Sequence, residues 1–391
     1  MTRDKHTKHR SFRGKNGDAE HFIVIKADGG GDLAAQIAQI ENRYDEAQKE
    51  LNLAPESAVF RRVFLSDAIN QAPAVRKSGL MGSRKNPVAV SIVQQQPLPG
   101  SKIGLLAYHI ESAGPLKKRR LPATRISDNH IMVEKSGVRH LWSTGLCAGA
   151  YSATSPVEVQ THEAFKDLIE VLEKQSANLR DHCVRTWIFM KNVDCFYRGM
   201  VNARLEVFAE FGMNEKTHTI ASTGIEGACE HQFDLMSMDA YSNLDLKREQ
   251  ISYLNDYSRL SRTEVYNVNF ERGARVAYAD RALHIISGTA SIDAAGRTVY
   301  YGGDVMRQAE RTLENIDALL RAGTATLDDI MHMIVYLRDP AEYERISAYM
   351  AERFPEIPYI IVEGAVCRPD WLIEIEGMAI SENGAPNLPE F

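Results

Sequence analysis

Residues 366–376, VCRPDWLIEIE, bring a thiol (Cys367), a guanidinium (Arg368) and two carboxyls (Glu374 and Glu376) into one short stretch. In a strand, the alternation of LIEIE puts Glu374 and Glu376 on the same face. Such a face is commonly just solvated. Sheltered from water, the same carboxyl keeps its proton to higher pH and can deliver it to a reacting atom. Arg368, beside Pro369, reads either as a turn residue or as a fork for a carboxylate, which guanidinium groups bind bidentately. Cys367 reads as a small core residue or as part of a pocket wall. Arg204, Arg262 and Arg272 are further candidate forks, with Tyr257 and Phe270 near the last two in the chain. Backbone N–H groups around Gly288, Thr289 and Ala290, or around Ser222, Thr223 and Gly224, can hold an oxygen. Ser222 and Thr223 have no base nearby in sequence, which argues against a nucleophilic role.

Other signals are weaker. His140, His162, His182 and His231 show no metal-ligand spacing and read as structural or exposed. The five cysteines, at 147, 183, 195, 229 and 367, are odd in number and lack CxxC spacing, against a disulfide framework or a zinc site. A reduced, cytoplasmic setting is the simplest expectation. The GGG at 29–31 precedes a helix but lacks a following GK[ST], so it reads as a turn rather than a phosphate loop. No metal or organic cofactor is expected.

The chain has 391 residues, 44% hydrophobic and 25% charged, with a formal net charge of −6. This is the profile of a globular protein with room for two or three domains. The charge gives no support to nucleic-acid binding. No apolar run reaches the length of a membrane helix. A monomer is expected.

One order of elements recurs three times: strand, helix, strand, helix, then more strands. In the first copy FIVIKADG is a strand. It is followed by a helix with Leu33, Ile37, Ile40, Tyr44, Ala47 and Leu51 on one face, then the strand at 59–67. In the second, the strand at 140–149 precedes a helix carrying Phe165, Leu168, Ile169 and Leu172, then the strand at 184–192. In the third, the strand at 283–292 precedes a helix carrying Val305, Ala309, Leu313, Ile316 and Leu320, then the strand at 332–339. The expected organisation is a disordered basic tail at 1–19, module 1 at 20–115 and module 2 at 125–242. A connecting segment at 243–269, module 3 at 270–381 and a tail at 382–391 follow. Each module is α+β, with helices on one sheet face. Three such sheets can bury their other faces against one another around a common axis.

In module 3, ISGTASID, RQAERTLENIDALL, MIVYLRD and LIEIEGMAI resemble the RidA/YjgF (endoribonuclease L-PSP) family; modules 1 and 2 resemble it weakly. The resemblance implies a trimer-like arrangement with sites between modules. The family's deaminase site pairs an arginine in the penultimate strand with a glutamate in the last. The corresponding positions are Ile360 and Glu374 in module 3, Ser222 and Ser237 in module 2, and Ala89 and Gly104 in module 1. One site therefore keeps the acid and none keeps the arginine. RTWIFM, NARLEVF, ASTGIEG, SGTASI and VCRPDWLIEIE together resemble the chorismatases, single-chain relatives of that fold. The Tyr/Pro/Arg-rich stretch that chorismatases carry before module 3 is here ISYLNDYSRLSRTEVYNVNFERG, without prolines.

This resemblance implies removal of pyruvate from chorismate. Glu374 would be the general acid, and Arg368 first, then Arg272, Arg262 and Arg204, would bind the carboxylates. Cys367 matches the branch that forms 3-hydroxybenzoate, whereas an alanine at this place accompanies hydrolysis to a dihydrodiol. The rival readings are a RidA-type enamine/imine deaminase or small-molecule hydrolase, and a non-catalytic metabolite binder.

Overall fold

A computed structural model describes residues 6–147 and 155–391. Three sheets follow one another along the chain. The first module contains β1 (Thr7–Arg13), β2 (Ala19–Lys26), α1 (Leu33–Glu50), β3 (Ala58–Leu65), α2 (Ala68–Val75), β4 (Ala89–Gln94) and β5 (Ile103–Glu111). Its strand order is β1-β2-β5-β3-β4. The second contains β6 (Lys117–Arg120), β7 (His130–Lys135), β8 (Val138–Cys147), α3 (Val157–Glu173), α4 (Leu179–His182), β9 (Cys183–Met190), α5 (Val193–Glu210), β10 (Ala221–Glu226) and β11 (Met236–Asn243). They are ordered β10-β9-β11-β8-β7-β6. The third contains β12 (Ile251–Tyr253), β13 (Gly273–Ala277), β14 (Ala282–Ala290), α6 (Val305–Ala322), β15 (Ile330–Leu337), α7 (Tyr343–Arg353), β16 (Tyr359–Glu363) and β17 (Ile373–Ser381). They are ordered β12-β13-β14-β17-β15-β16. In each sheet one pair is parallel, β3/β4, β9/β10 and β15/β16, as a strand–helix–strand crossover requires.

Strand alternation explains how both sheet faces are buried. In β2, Ile23 and Ile25 turn toward α1, packing with Ile37, Ile40 and Tyr44. Phe22 turns the other way, into a core shared by all three modules with Tyr108, Trp142, Tyr241, Leu283 and Ile285. The helices start where the sequence allows. Asp32 caps α1 through Ala35 N at 2.9 Å, and Asp304 caps α6 through Met306 N at 3.0 Å. A mostly apolar cavity of about 80 Å³ remains in the shared core.

Three expectations from sequence are corrected. Residues 7–13, read as part of a disordered tail, form β1 and pair antiparallel with β2. The connecting segment contains β12, which pairs with β13. In the C-terminal stretch, read as a tail, Phe391 is 1% exposed and packs into the shared core against Tyr278 and His140. His140 itself is buried and bonded to the Tyr241 hydroxyl at 2.8 Å. No helix among the described residues is long and apolar enough to cross a membrane.

Candidate active site

The three sheets meet at seams, and each seam has its own character. Between modules 3 and 1, Pro97 bridges Val362, and Ile360 presses on Gly104 so closely that a Cβ there would lie 2.7 Å from Ile360 Cδ1. That seam is sealed by hydrocarbon. Between modules 1 and 2, Gln94 bridges Ala228. Between modules 2 and 3, Ala221 bridges Glu271 and Ile225 bridges Val366, and here the residues singled out in the sequence converge.

Glu374 is the second residue of β17, opposite Ala290 of β14 and Tyr336 of β15. The seam covers it, leaving it 3% exposed. Burial first, and the nearby Glu376 second, push its carboxyl up to about 8, against the pull of Arg185 and Arg272. A bulge in β14 between Ile286 and Thr289 turns the Gly288 N–H to the Thr223 hydroxyl at 2.8 Å. A Cβ at Gly288 would come within 2.2 Å of Glu374 Oε1, so glycine is what lets the carboxyl sit there.

Glu374 lines a cavity of about 20 Å³, enough for roughly one water. Arg204, Ser222, Thr223, Phe270, Arg272, Gly288, Ala290 and Cys367, all candidates named from the sequence, line it too. Arg204 is fully buried and donates from Nε to Asn269 Oδ1 at 3.3 Å and from Nη1 to Ser222 Oγ at 3.4 Å. Arg272 donates to the Ser261 carbonyl at 3.1 Å. Arg204 Nη2 and Arg272 Nε are buried without a hydrogen-bond partner. Burial pushes the Cys367 thiol up to about 12, so it is neutral.

Glu376, on the same strand face, is saturated. It accepts from Arg185 at 2.6 Å, Trp187 Nε1 at 3.0 Å, the Tyr336 hydroxyl at 3.0 Å and the Thr223 hydroxyl. Arg62 of module 1 lies 3.6 Å away and pairs with Asp239 of module 2 at 3.0 Å. The two glutamates of LIEIE, expected on a common and commonly solvated face, thus share a buried face with different roles. Glu376 ties the modules together, whereas Glu374 faces the cavity.

Four expected site residues do not line this cavity. Arg368 stacks over Tyr197, Trp371 and Tyr266 and donates to the carbonyls of Cys367 at 3.0 Å and Tyr266 at 3.3 Å, holding the wall rather than offering a free fork. Arg262 and Tyr257 are exposed and stack on each other, 4.3 Å from guanidinium to ring centre. Thr289 is buried and turns its hydroxyl to the Ser287 carbonyl at 2.9 Å. Gly224 lines the cavity with Ser222 and Thr223, while Tyr197, Tyr266 and Trp371 complete the wall and were not anticipated. The aromatics of ASTGIEG's neighbouring helix and of CRPDW were the available signal.

The Endoribonuclease L-PSP family profile matches residues 274–381. Over 82 residues the chain is 37% identical to a RutC family protein of Pyrococcus horikoshii, 20% of this chain, and spans 65% of that protein's length. It is 35% identical over 104 residues to the 3-aminoacrylate deaminase RutC of Acinetobacter baylyi, 26% of this chain and 80% of that protein. It is 25% identical over 261 residues to the 3-hydroxybenzoate synthase of Streptomyces hygroscopicus, 60% of this chain and 73% of that one. Among solved structures, a chorismatase superposes with a TM-score of 0.63 at 16% identity, covering 95% of this chain and 98% of its own; this likeness shows the fold.

Proposed function

The chain belongs to the RidA/YjgF (endoribonuclease L-PSP) family, and within it we propose a chorismatase-like enzyme that releases pyruvate from chorismate and leaves a hydroxybenzoate, the 3-hydroxy isomer. One observation carries the reading. A carboxylic acid held neutral at physiological pH shares a buried cavity with two arginines whose N–H groups are not all used. Chorismate supplies what that cavity lacks, namely carboxylates, and an enol ether that must be protonated.

Glu374 delivers its proton to the vinyl carbon of the enolpyruvyl ether, developing an oxocarbenium-like centre. Arg204 and Arg272 bind and orient carboxylates, with the cavity excluding bulk water around them. The C–O bond to the ring breaks and pyruvate leaves with that oxygen. The neighbouring ring hydroxyl oxygen closes onto the vacated carbon as its proton passes back to Glu374. The resulting epoxide opens at the carbon that first held the hydroxyl, a ring hydrogen's proton moving to the oxygen, to leave the 3-hydroxy ring aromatic. Pyruvate and a hydroxybenzoate together hold every atom of chorismate, so the overall change consumes no oxidant or second substrate. Cys367, neutral and in the wall, favours the aromatic product by denying water a foothold.

The relationship to RutC raises a deaminase as the rival. The loss of the strand arginine, with Ser222 and Ile360 in its place at two seams, weighs against it. Incubating the protein with chorismate and following pyruvate tests the reading. Release of pyruvate, abolished in Glu374→Gln, is the expected result. Ammonia from an imino acid with no turnover of chorismate would sink it.

A further inference from the structure

A second cluster of reactive side chains sits at a different seam. Cys147 ends β8 and pairs across the sheet with Ser237, the same register position that Ala290 takes opposite Glu374. The loop from β10 to β11 carries Cys229, His231 and Asp234 in the pattern C-x-H-x-x-D. The fold brings this loop to Cys147 across 82 residues of sequence. The Sγ of Cys147, a ring nitrogen of His231 and a carboxylate oxygen of Asp234 all lie within 4.8 Å of one another. Cys229 Sγ lies 3.3 Å from Asp234 Oδ2.

We propose that Cys147, Cys229, His231 and Asp234 form a metal site for Zn2+ or a chemically similar divalent transition ion. Two sulfurs, an imidazole and a carboxylate make up a four-ligand set of the kind zinc takes, and thiolates disfavour magnesium and calcium. Ligand atoms on one tetrahedral zinc stand ~3.4–3.8 Å apart, so the three atoms of Cys147, His231 and Asp234 need to draw in by at most about an ångström, and Cys229 joins them through its contact with Asp234. The loop is already anchored. Ala228 and Gln94 of module 1 exchange backbone hydrogen bonds, and Lys191 Nζ donates to the carbonyls of His231 at 3.2 Å and Gln232 at 2.6 Å. Cys147, Cys229 and His231 open onto a cavity of about 330 Å³ between modules 1 and 2, which gives the ion a path in. The cysteines and histidines, read from sequence as lacking metal spacing, acquire it only in three dimensions.

The test uses the full chain, purified reduced, stripped with a chelator and titrated with Co2+. The expected result is one equivalent bound per chain, with a thiolate-to-cobalt charge-transfer band and the intense visible bands of a tetrahedral ion, both bleached by Zn2+. Cys147→Ser and His231→Ala should each weaken Zn2+ binding at least ~100-fold. His231 is exposed, so its variant keeps the question open to decision even if Cys147→Ser fails to fold. A cobalt spectrum without thiolate bands, an affinity unchanged in His231→Ala, or a Cys147–Cys229 disulfide that persists under reductant would each overturn the proposal.

Discussion

Moving a carboxyl from water into a wall of Tyr197, Tyr266, Trp371 and Cys367 takes away the solvation of its charged form, and Glu374 responds by holding its proton. Its folded value of about 8 exceeds the ordinary 4.5. Between these values the folded chain keeps a proton that the unfolded chain has released, so stability falls as pH rises through this window and levels off above about 8. Glu374→Gln should therefore be more stable than the parent above that pH, by on the order of a few kcal/mol in urea unfolding, yet lose ~100-fold or more in kcat. Pyruvate release by the parent should decline as pH rises through about 8. Arg204 poses the complementary case. A buried guanidinium with an unused Nη2 weakens the fold. Arg204→Met should thus raise Tm while raising KM for chorismate ~10-fold or more, read by calorimetry and steady-state kinetics. Cys367→Ala, admitting water beside the reacting ring, should divert product from hydroxybenzoate to dihydrodiol on chromatography. Glu374 was legible from strand alternation and family likeness together. Sequence spacing could not show that Arg368 stacks on Tyr197, Tyr266 and Trp371 and donates to two backbone carbonyls instead of lining the cavity.

At the scale of elements, the amphipathic helices were the readable part. The inward face of α6, with Val305, Ala309, Leu313, Ile316 and Leu320, is buried as its 3.6-residue spacing requires. Strand β1 was not readable. TKHRSFR has no aliphatic residue, and its place at a sheet edge rests on backbone hydrogen bonds to β2 that composition does not record. The stretch before β13 contributes to the cavity wall. Tyr266 lines the cavity from this segment, and Arg368 donates to its backbone carbonyl at 3.3 Å. Arg368→Ala should speed amide exchange across residues 263–270 by ~5-fold or more, while leaving the pH midpoint of turnover unchanged.

At the scale of the whole molecule, one core at the centre of three sheets makes the modules interdependent. Arg62 on β3, Asp239 on β11 and Glu376 on β17 belong to three modules yet meet in one buried network. Phe391 fills the same centre beneath Lys135 and Arg281. Phe391→Ala should cost about 3 kcal/mol in a single cooperative urea transition, since it opens a hole that no single module can close. The triplicated plan was visible in the recurring order of elements. The cluster at Cys147 was not, because its members come from β8 and from a loop beyond β10.

The plug of Ile360 over Gly104 shows what covalent fusion permits. In a ring of three identical chains, any substitution is written into every interface at once, and an isoleucine that blocks one pocket blocks them all. Joined end to end, the copies escape that repetition. One junction can be corked for rigidity, and a second can tolerate uncompensated buried cations for the sake of chemistry. Strain confined to one junction is diluted over the whole polypeptide rather than multiplied by three.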